Sequence, residues 1–289
     1  MIIGTRGSKL ALVQTNYVKK CLFDITKEEI DINIIKTTGD KITDSQLYNI
    51  DSKGLFTKEL DKAVLEEEVD FAVHSLKDVP TDLDEDLEIA AVPVRESPNE
   101  VFISKYKWDE LPKGASLGSS SLRREAFCNH YNKELELKPI RGNIETRVNK
   151  VINGEVDATI MAEAGLKRLN LTKHIQNVFS LEFFTPPAGQ GAIAIITRKD
   201  SPSKEIIQKI NHYNSFQEVL AEKTVLEELG VGCQWPIGSS AKVKNKKLEL
   251  YSILLTQKGE ILYKNRIQGS IKEAYNLGKE IGSLMEDYV

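Results

Sequence analysis

Strand-like and helix-like segments alternate along this chain from its first residues to about residue 230. Apolar runs such as Ile2–Thr5 and Val69–His74 have the length of buried strands, and Ile32–Ile35 alternates like a strand. Helical segments with an apolar stripe lie between these runs. Such an alternation is typical of a mostly parallel β-sheet covered by helices, so the sequence predicts an α/β fold.

Two helices in the first part of the chain are predicted together with their buried faces. Ser8 can cap the first of them. Its inward side chains are expected to be Leu10, Val13, Tyr17 and Cys21. The second helix covers Gly54–Glu67. Its apolar stripe consists of Leu55, Phe56, Leu60, Ala63 and Val64.

One pattern occurs twice in the chain. The run SLGSSS at Ser116–Ser121 leads into a helix much as Ile2–Ser8 leads into the first one. Later, the E-V-D core of Gly154–Leu169 echoes that of Glu67–Pro80. We therefore expect two similar α/β halves with a cleft between them, where such proteins usually bind ligands. The stretch PVRESPNE has the composition of a crossing between the halves.

Beyond Gly232 the pattern changes to that of a small α+β unit. Three strands joined by Lys/Asn or Gly turns are predicted over Ile237–Val243, Leu248–Leu255 and Ile261–Gln268. A final helix is predicted over Ile271–Asp287. With 289 residues, the chain is long enough for two or three domains.

Arginine is scarce and unevenly placed in this lysine-rich chain. Only nine of the 39 basic residues are arginine. Six of the nine lie in Gly/Ser-rich or turn-like contexts: Arg6, Arg123, Arg124, Arg141, Arg147 and Arg168. A position that stays arginine against such a bias uses the planar guanidinium, which binds carboxylate or phosphate through paired hydrogen bonds. The sequence thus predicts a site for a multiply anionic ligand.

The bulk composition limits the expected partners and location. A net charge of −4 gives no reason to expect nucleic-acid binding. No stretch approaches the roughly 18 apolar residues of a membrane span, and no secretory signal precedes the first strand. The three cysteines form no CxxC motif and the four histidines no HxH or HExxH motif, so neither a disulfide nor a metal site is expected. We expect a soluble cytoplasmic protein.

Two short motifs place arginines at the starts of helices. In GTRGSKLAL, Arg6 and Ser8 can hold an anion at a helix N-terminus, although an ordinary capped helix gives the same pattern. In GSSSLRR, Arg123 and Arg124 are unfavourable beside the positive end of the helix dipole, which favours a bound anion there. RGNIETR fits a ligand contact and a solvated helix face equally well, whereas the Arg168 fragment AGLKRL is more typical of an ordinary amphipathic helix.

Three further motifs can carry chemistry. VHSLKDVP ends a buried strand with Lys77 and Asp78, and an aspartate there can stabilise positive charge or transfer a proton, or simply cap a turn. Cys233 in GVGCQWPIG has glycine neighbours that leave its thiol open, so it is either reactive or an ordinary loop cysteine. PPAGQGAIAI lacks dinucleotide-binding or P-loop spacing and fits a hinge or a backbone-binding loop.

Together these segments resemble the porphobilinogen deaminase family, also called hydroxymethylbilane synthase. The matching runs, in the family's order, are GTRGSKLAL, KGLFTKEL, VHSLKDVPT, GSSSLRR, RGNIETR, AGLKRL, PAGQGA and GCQWPIGS. The resemblance implies two periplasmic-binding-protein-like (type II) α/β domains around a cleft and a small α+β C-terminal domain. The expected bounds are 1–95 with 192–212 for domain 1, 96–191 for domain 2 and 213–289 for domain 3.

The resemblance also implies a transferase of porphyrin and heme biosynthesis. Such an enzyme joins four porphobilinogen molecules head to tail, releases one ammonia per unit and forms the linear tetrapyrrole hydroxymethylbilane. The family carries a covalent dipyrromethane primer on the cysteine that matches Cys233. Its catalytic aspartate, which matches Asp78, assists ammonia loss and stabilises positively charged intermediates. The expected partner is porphobilinogen, and the expected state is a monomer without metal, nucleic acid or membrane contacts.

A common task for the arginines follows from the same resemblance, because each pyrrole ring carries an acetate and a propionate. The positions that match cofactor contacts, besides Cys233, are Lys53, Lys77, Ser119, Ser121, Arg123, Arg124 and Arg147. Those expected to contact substrate are Arg6, Ser8, Gln14, Arg141, Arg168 and Gln190. Glu163 departs from the family pattern, and its carboxylate would either repel ligand carboxylates or pair with an arginine. Trp235 is bulkier than the usual residue beside the cysteine.

Two other classes of protein stay open on sequence grounds. A non-enzymatic binding protein or effector domain for a small polyanion can have the same two halves and cleft. That function leaves Cys233 and Asp78 without a task. A nucleic-acid binder is disfavoured by the acidic balance and by the lack of an aromatic–basic stripe.

Overall fold

The computed structural model describes residues 1–41, 54–131, 134–231 and 235–289. Its strands are β1 (Ile2–Thr5), β2 (Asp31–Ile34), β3 (Phe71–Ser75), β4 (Leu87–Ala91), β5 (Glu100–Ser104), β6 (Ser116–Gly118), β7 (Glu136–Lys138), β8 (Ala158–Ala162), β9 (Asn177–Val178), β10 (Ile193–Arg198), β11 (Ile237–Lys244), β12 (Lys247–Leu255) and β13 (Ile261–Ser270). Its helices are α1 (Lys9–Thr26), α2 (Thr38–Lys41), α3 (Lys58–Leu65), α4 (Leu122–His130), α5 (Ile144–Ile152), α6 (Glu163–Arg168), α7 (Lys204–Gln208), α8 (Tyr213–Glu228) and α9 (Ala274–Met285).

Two five-stranded sheets have the same strand order. The first half is built on β2-β1-β3-β10-β4 and the second half on β7-β6-β8-β5-β9. In each sheet four strands run in one direction, and the fifth, β10 or β5, opposes them after arriving from the other half. This is the order of the type II periplasmic-binding-protein-like fold. The predicted α/β fold class with two similar halves is therefore confirmed.

The repeated E-V-D motif has the same structural role in both halves. The Asp70 carboxylate accepts a hydrogen bond from the backbone N–H of Ile2 at 2.6 Å, which ties the start of β3 to the start of β1. Asp157 accepts from the N–H of Ser116 at 2.8 Å and ties β8 to β6 in the same way. The sequence echo thus marks equivalent strands, and the loops that follow them lie at equivalent edges of the two sheets.

The buried face of α1 differs from the prediction. Its buried residues are Ala11, Gln14, Thr15, Val18 and Leu22. Tyr17 of the predicted stripe is instead 41% exposed. The two polar side chains named on the buried face have hydrogen-bond partners. Gln14 binds the Ser75 hydroxyl at 2.9 Å, and Thr15 binds the Thr5 hydroxyl at 2.7 Å. The apolar residues alone therefore predict a face of α1 that lies next to the face that is buried.

A small C-terminal unit follows the two halves. The three predicted strands are present as the antiparallel sheet β11-β12-β13. Helices α8 and α9 pack on it through a core that includes Val225, Leu250 and Ile281. The final helix is shorter than predicted, because a 3₁₀ turn over Ile271–Glu273 with a capping box precedes it.

The chain passes between the halves twice, in a first crossing (92–99, between β4 and β5) and a second crossing (179–192, between β9 and β10). A buried carboxylate joins the C-terminal unit to both crossings. Glu222 on α8 holds Arg95 of the first crossing through two hydrogen bonds of 2.7 and 2.9 Å. It also accepts the backbone N–H groups of Gly189, in the second crossing, and Ala241, on β11, each at 2.7 Å. Its four acceptor positions are thus used, which explains how a fully buried acid is tolerated.

Candidate active-site cleft

A small cavity lies at the carboxyl ends of β1 and β3 and has a volume of about 60 Å³. The polar side chains that line it are Arg6, Ser8, Gln14, His74, Ser75 and Asp78. Four of these are predicted site residues. Arg6, Ser8 and Gln14 come from the turn and the first helix after β1, and Asp78 follows β3. Parallel strands bring their carboxyl ends to one edge of a sheet, which explains why distant motifs meet here.

The side chains of this cavity are held by local contacts. Ser8 is the N-cap of α1, with its hydroxyl accepting the Ala11 N–H at 3.2 Å. The Arg6 guanidinium lies over the Phe56 ring, 4.2 Å from its centroid. This stacking orients a planar cation without consuming its hydrogen-bond donors. The predicted helix Gly54–Glu67 is confirmed only over α3, because Phe56 belongs to the turns before it.

Asp78 ends a single 3₁₀ turn, Leu76–Asp78, that directly follows β3. Two other parts of the chain hold this turn. Gly189 has φ +75°, and a Cβ there would overlap the Leu76 side chain, so the second crossing approaches the turn through a glycine. From α8, Lys223 donates to the Val79 carbonyl at 2.5 Å. The catalytic candidate is therefore positioned by the first half, a crossing and the C-terminal unit together.

Lys77 lies on the other side of the same turn and faces the second half. Its ammonium is 3.4 Å from Gln190 Oε1. Burial lowers the pKa of Lys77, and Arg124 and Arg123 lower it further, whereas Asp78 and Glu100 act in the opposite direction. Lys77, on a turn of the first half, thus interacts electrostatically with charged groups of the second half.

The serine-rich turn before α4 is built as a helix start. Ser121 is the N-cap, and its hydroxyl accepts the Arg124 N–H at 3.5 Å. Ser119 is buried, and its hydroxyl accepts the Ser121 N–H at 3.1 Å. Both hydroxyls therefore lie at the positive end of the α4 dipole, as the motif predicts.

The anion that Arg123 and Arg124 require is supplied by the protein itself. Glu100, the first residue of β5, is fully buried and forms ion pairs with both guanidinium groups. Arg123 also donates to the Thr185 carbonyl at 2.6 Å. The two arginines hold the pKa of Glu100 at about 2 although burial opposes this. An anion thus does lie beside these arginines, as the helix dipole requires, but the sequence did not indicate Glu100, because this residue looks like the start of an apolar strand.

A second group of arginines, Arg141 and Arg147, forms no ion pair with a carboxylate among the described residues. Arg147 donates to the Gly142 carbonyl at 2.9 Å. Its pKa is lowered to about 10, mainly by burial and further by repulsion from Arg124 and Arg141. Arg141 Nη2 is buried and makes no hydrogen bond within the described part of the chain. A buried guanidinium nitrogen in this state has a strong preference for an anionic ligand.

Two predicted contacts lie at the crossings between the halves. Arg168 on α6 donates to the Gly191 carbonyl at 2.7 Å. Gln190 Nε2 donates to the Pro98 carbonyl at 2.8 Å, so it ties the second crossing to the first. Glu163 does not carry a free charge into the cleft, because it accepts from Ser97 at 2.5 Å and pairs with Lys167 at 3.2 Å. The sequence left open a repulsion of ligand carboxylates or a pairing with an arginine, and the cation that pairs with Glu163 is instead Lys167.

Two predicted site residues, Cys233 and Lys53, lie outside the described residues. Trp235, close to Cys233 in sequence, packs at the edge of the C-terminal core. Cys128 packs in the core of the second half as predicted, and Cys21 is half-buried on α1.

Behind the cavity lies a buried pair that sequence analysis also missed. His74 Nε2 is 3.9 Å from Asp61 Oδ1, and neither atom has a hydrogen-bond partner within the residues described. Burial, reinforced by Arg6, lowers the pKa of His74 to about 4. Burial raises the pKa of Asp61 to about 6, and Asp84 contributes in the same direction. No sequence motif marked the pair, since His74 is one side chain of an apolar strand.

Two kinds of feature are absent from the described residues. No group of three or more His, Cys, Asp or Glu side chains is arranged to hold a metal ion in the ranges 1–41, 54–131, 134–231 and 235–289. In the same ranges, no helix has the length and apolar character needed to cross a membrane.

Comparisons with known proteins agree with the sequence motifs. Residues 1–206 match the family model described as porphobilinogen deaminase, dipyromethane cofactor binding domain, and residues 216–287 match its C-terminal domain model. A probable porphobilinogen deaminase of Methanothermobacter thermautotrophicus is 60% identical over 289 residues, with all of both chains covered. The porphobilinogen deaminase of Helicobacter hepaticus is 41% identical, and the match covers 98% of this chain and 89% of the relative.

Among solved structures, the methionine-binding protein MetQ is similar with a TM-score of 0.46 and 10% identity, over 75% of this chain and 89% of MetQ. A periplasmic substrate-binding protein of an ABC transporter from Coxiella burnetii has a TM-score of 0.46 and 12% identity, over 73% and 91% of the two chains.

Proposed function

The chain belongs to the porphobilinogen deaminase family, and from this premise we propose that its cleft converts porphobilinogen into hydroxymethylbilane. Four porphobilinogen molecules and one water give one linear tetrapyrrole and four molecules of ammonia. Family membership favours this transferase over a binding protein, which uses neither Asp78 nor a thiol. The product places the enzyme in tetrapyrrole and heme biosynthesis.

One observation carries the assignment of the cleft to this reaction. Arg141 and Arg147 repel each other, Arg124 adds to the repulsion although it is paired with Glu100, and the buried Nη2 of Arg141 has no partner in the described ranges. Burying cations without a counter-ion is costly unless a ligand supplies the charge. Every pyrrole unit brings an acetate and a propionate, and paired carboxylate–guanidinium bonds fit that chemistry.

We assign the chemical step to Asp78, because it lines the cavity together with Arg6. The Arg6 guanidinium, oriented by Phe56, binds a carboxylate of the incoming porphobilinogen. Asp78 then lies beside the aminomethyl group. Its carboxylate stabilises the cation that forms on the substrate when ammonia departs, and it accepts the proton released when the new carbon–carbon bond is complete. Ser8 and Gln14 position the same ring.

The residues of the cleft also fit the family's dipyrromethane group. That group, when bound through a thioether to Cys233, supplies the pyrrole carbon that starts the chain. Its acetates and propionates require several cationic or hydroxyl partners. We propose that Lys77, Ser119, Ser121, Arg123, Arg124 and Arg147 are these partners, together with Lys53. The Arg141 nitrogen without a hydrogen-bond partner in the described residues supports a place for a further carboxylate, which we assign to substrate along with Arg168 and Gln190.

The domain bounds 1–95 with 192–212, 96–191 and 213–289 accompany this proposal. Their support is that β10 completes the first sheet and β5 begins the second. A monomer in the cytoplasm is part of the same proposal.

The proposal is tested by incubating the purified protein with porphobilinogen and measuring ammonia and product together. The expected result is four molecules of ammonia per hydroxymethylbilane, identified by mass before it cyclises. Porphobilinogen that is bound but not consumed would instead show a binding protein.

A further inference from the structure

Asp78 lies on a turn that its own hydrogen bonds define only weakly. The 3₁₀ turn Leu76–Asp78 has three residues and is closed by the bond from the Val79 N–H to the Leu76 carbonyl, at 3.1 Å. Such a turn has poorer hydrogen-bond geometry than an α-helix and is too short to gain from cooperative lengthening. The place of the Asp78 carboxylate therefore depends on contacts from outside the turn.

The incoming and outgoing ends of this turn are held by different parts of the chain. At the incoming end, the Leu76 N–H donates to the Ala192 carbonyl, just before β10, at 3.0 Å. At the outgoing end, the Lys223 ammonium donates to the carbonyl of Val79, the residue after Asp78, at 2.5 Å. Because the donor is charged, this bond is stronger than one between neutral groups.

The outgoing end is held by one face of α8. Val219, Glu222 and Lys223 are spaced i, i+3 and i+4, which puts them on the same side of the helix. Val219 belongs to the same buried apolar cluster as Val79. Glu222 reaches the turn only through the second crossing, where it accepts the Gly189 N–H at 2.7 Å. Lys223 is the member of this face that bonds directly to the backbone beside Asp78.

We propose that Lys223 is a positioning residue of the reaction, whose ammonium fixes the end of the 3₁₀ turn and thereby the place of the Asp78 carboxylate. This proposal rests on the proposed function, because the chemical step is assigned there to Asp78. Lys223 acts through a backbone carbonyl and is given no contact with the reacting atoms. Since α8 packs in the C-terminal unit, the catalytic turn of the first half is held from outside that half.

The kinetic test compares Lys223→Met and Lys223→Arg with the wild type. Methionine keeps most of the side-chain length but has no donor, so kcat should fall by about 10-fold or more, because a catalytic group displaced by a fraction of an ångström loses much of its effect. The KM for porphobilinogen should stay within about twofold, since the cleft arginines are unchanged. Arginine keeps a cationic donor and should retain most of the wild-type kcat. An unchanged kcat in Lys223→Met overturns the proposal.

Two controls make this comparison specific. Lys199 also donates to a backbone carbonyl at 2.5 Å, that of Glu85, at the edge of the first sheet opposite to the cleft. Lys199→Met should therefore leave kcat unchanged. Intact mass is measured for each variant, so that kcat is compared at equal content of the covalent primer. If Lys223→Met does not fold, Lys223→Gln takes its place, because its polar side chain is one bond too short for the Val79 carbonyl, and the same loss of kcat is expected.

Amide hydrogen exchange separates this inference from the proposed function, because it reports on the turn without any turnover. The peptide that covers 76–80 should exchange faster in Lys223→Met than in the wild type and in Lys199→Met. If it does so but the wild type makes no hydroxymethylbilane, the proposed function fails and Lys223 still holds the turn. If the wild type is active and Lys223→Met changes neither the exchange nor kcat, only the role of Lys223 fails.

Discussion

Asp78 is the acid on which the assignment of the chemical step depends. Replacing it by alanine removes the charge that stabilises the substrate cation, so turnover should fall by at least about 100-fold, the usual scale for such groups. The arginines that hold the pyrrole chain are untouched, so the covalent adduct should still form in part. Porphobilinogen consumption and intact mass measure the two effects separately. The matched control is Asp109→Ala, an exposed acid in another 3₁₀ turn, and a fully active Asp78→Ala would remove Asp78 from the mechanism.

Arg141 tests whether the unpartnered guanidinium nitrogen serves the ligand. Lysine keeps the charge but lacks the planar pair of donors, so Arg141→Lys should raise the KM for porphobilinogen about 10-fold or more, as expected for a charged hydrogen bond. The equivalent change at Arg198, which pairs with Glu67 and Asp200 away from the cleft, should leave KM unchanged. Equal effects at both positions would contradict the assignment.

The buried pair Asp61–His74 should be visible in the pH dependence of stability. The pKa of Asp61 is raised to about 6, so its contribution to the unfolding free energy grows as pH falls from about 6 to about 4. The pKa of His74 is lowered to about 4, so its contribution is lost as pH falls from about 6.5 to about 4. Each amounts to about 3 kcal/mol and the two oppose each other in the wild type.

Removing one residue of the pair should therefore reveal how the other residue alone changes the unfolding free energy with pH. In Asp61→Asn the unfolding free energy should fall by about 3 kcal/mol relative to wild type between pH 6.5 and pH 4, because only His74 titrates. In His74→Gln it should rise relative to wild type over about pH 6 to 4. Urea unfolding across this range measures both, and parallel curves for all three proteins would contradict the assigned shifts.

At the scale of elements, the two halves show what the sequence could predict and what it could not. The positions of β1, β2 and β3 followed from apolar or alternating runs, and the paired E-V-D motifs identified equivalent strands, since in both halves the aspartate binds a neighbouring strand's N–H. The inward face of α1 could not be derived, since it contains Gln14 and Thr15, whose partners come from β1 and from Ser75 after a separation that periodicity does not describe.

The same limit applies to the site. Motifs located Arg6, Asp78 and the α4 arginines because their residue types are chemically conspicuous. Glu100 and Asp61 were missed because an acid at the edge of an apolar segment looks like a surface residue until the fold places arginines or a histidine beside it. Sequence thus predicts donors and catalytic acids better than the buried groups that control their charge.

The buried link between α8 and the crossings is an element-scale prediction. Glu222→Gln leaves Arg95 with the longer ion pair to Glu218, at 3.7 Å, and should lower the unfolding free energy by about 3–5 kcal/mol, the usual cost of breaking a buried pair. Glu227→Gln on the same helix changes an exposed acid and should stay within about 0.5 kcal/mol of the wild type. Chemical denaturation of the two variants decides this, and similar midpoints would mean that the pair does not hold the unit in place.

At the scale of the whole molecule, strong and weak contacts between the parts of the chain lie in different places. The crossings are tied to the C-terminal unit by buried contacts of Glu222. The ion pair between α1 and α5, Lys9–Glu145, has a Lys9 side chain that is 62% exposed, and pairs of that kind contribute little to stability. Buried contacts thus tie the crossings to the C-terminal unit, whereas the ion pair between α1 and α5 adds little to the connection of the two halves.

The central claim is that this cleft holds a growing pyrrole chain anchored on Cys233. The most direct measurement is the intact mass of the protein purified from cells that make porphobilinogen, followed by mapping of the modified peptide. We predict a mass above that of the chain by one two-pyrrole group, located on the peptide with Cys233 and lost in Cys233→Ser. A mass equal to that of the bare chain would contradict the account.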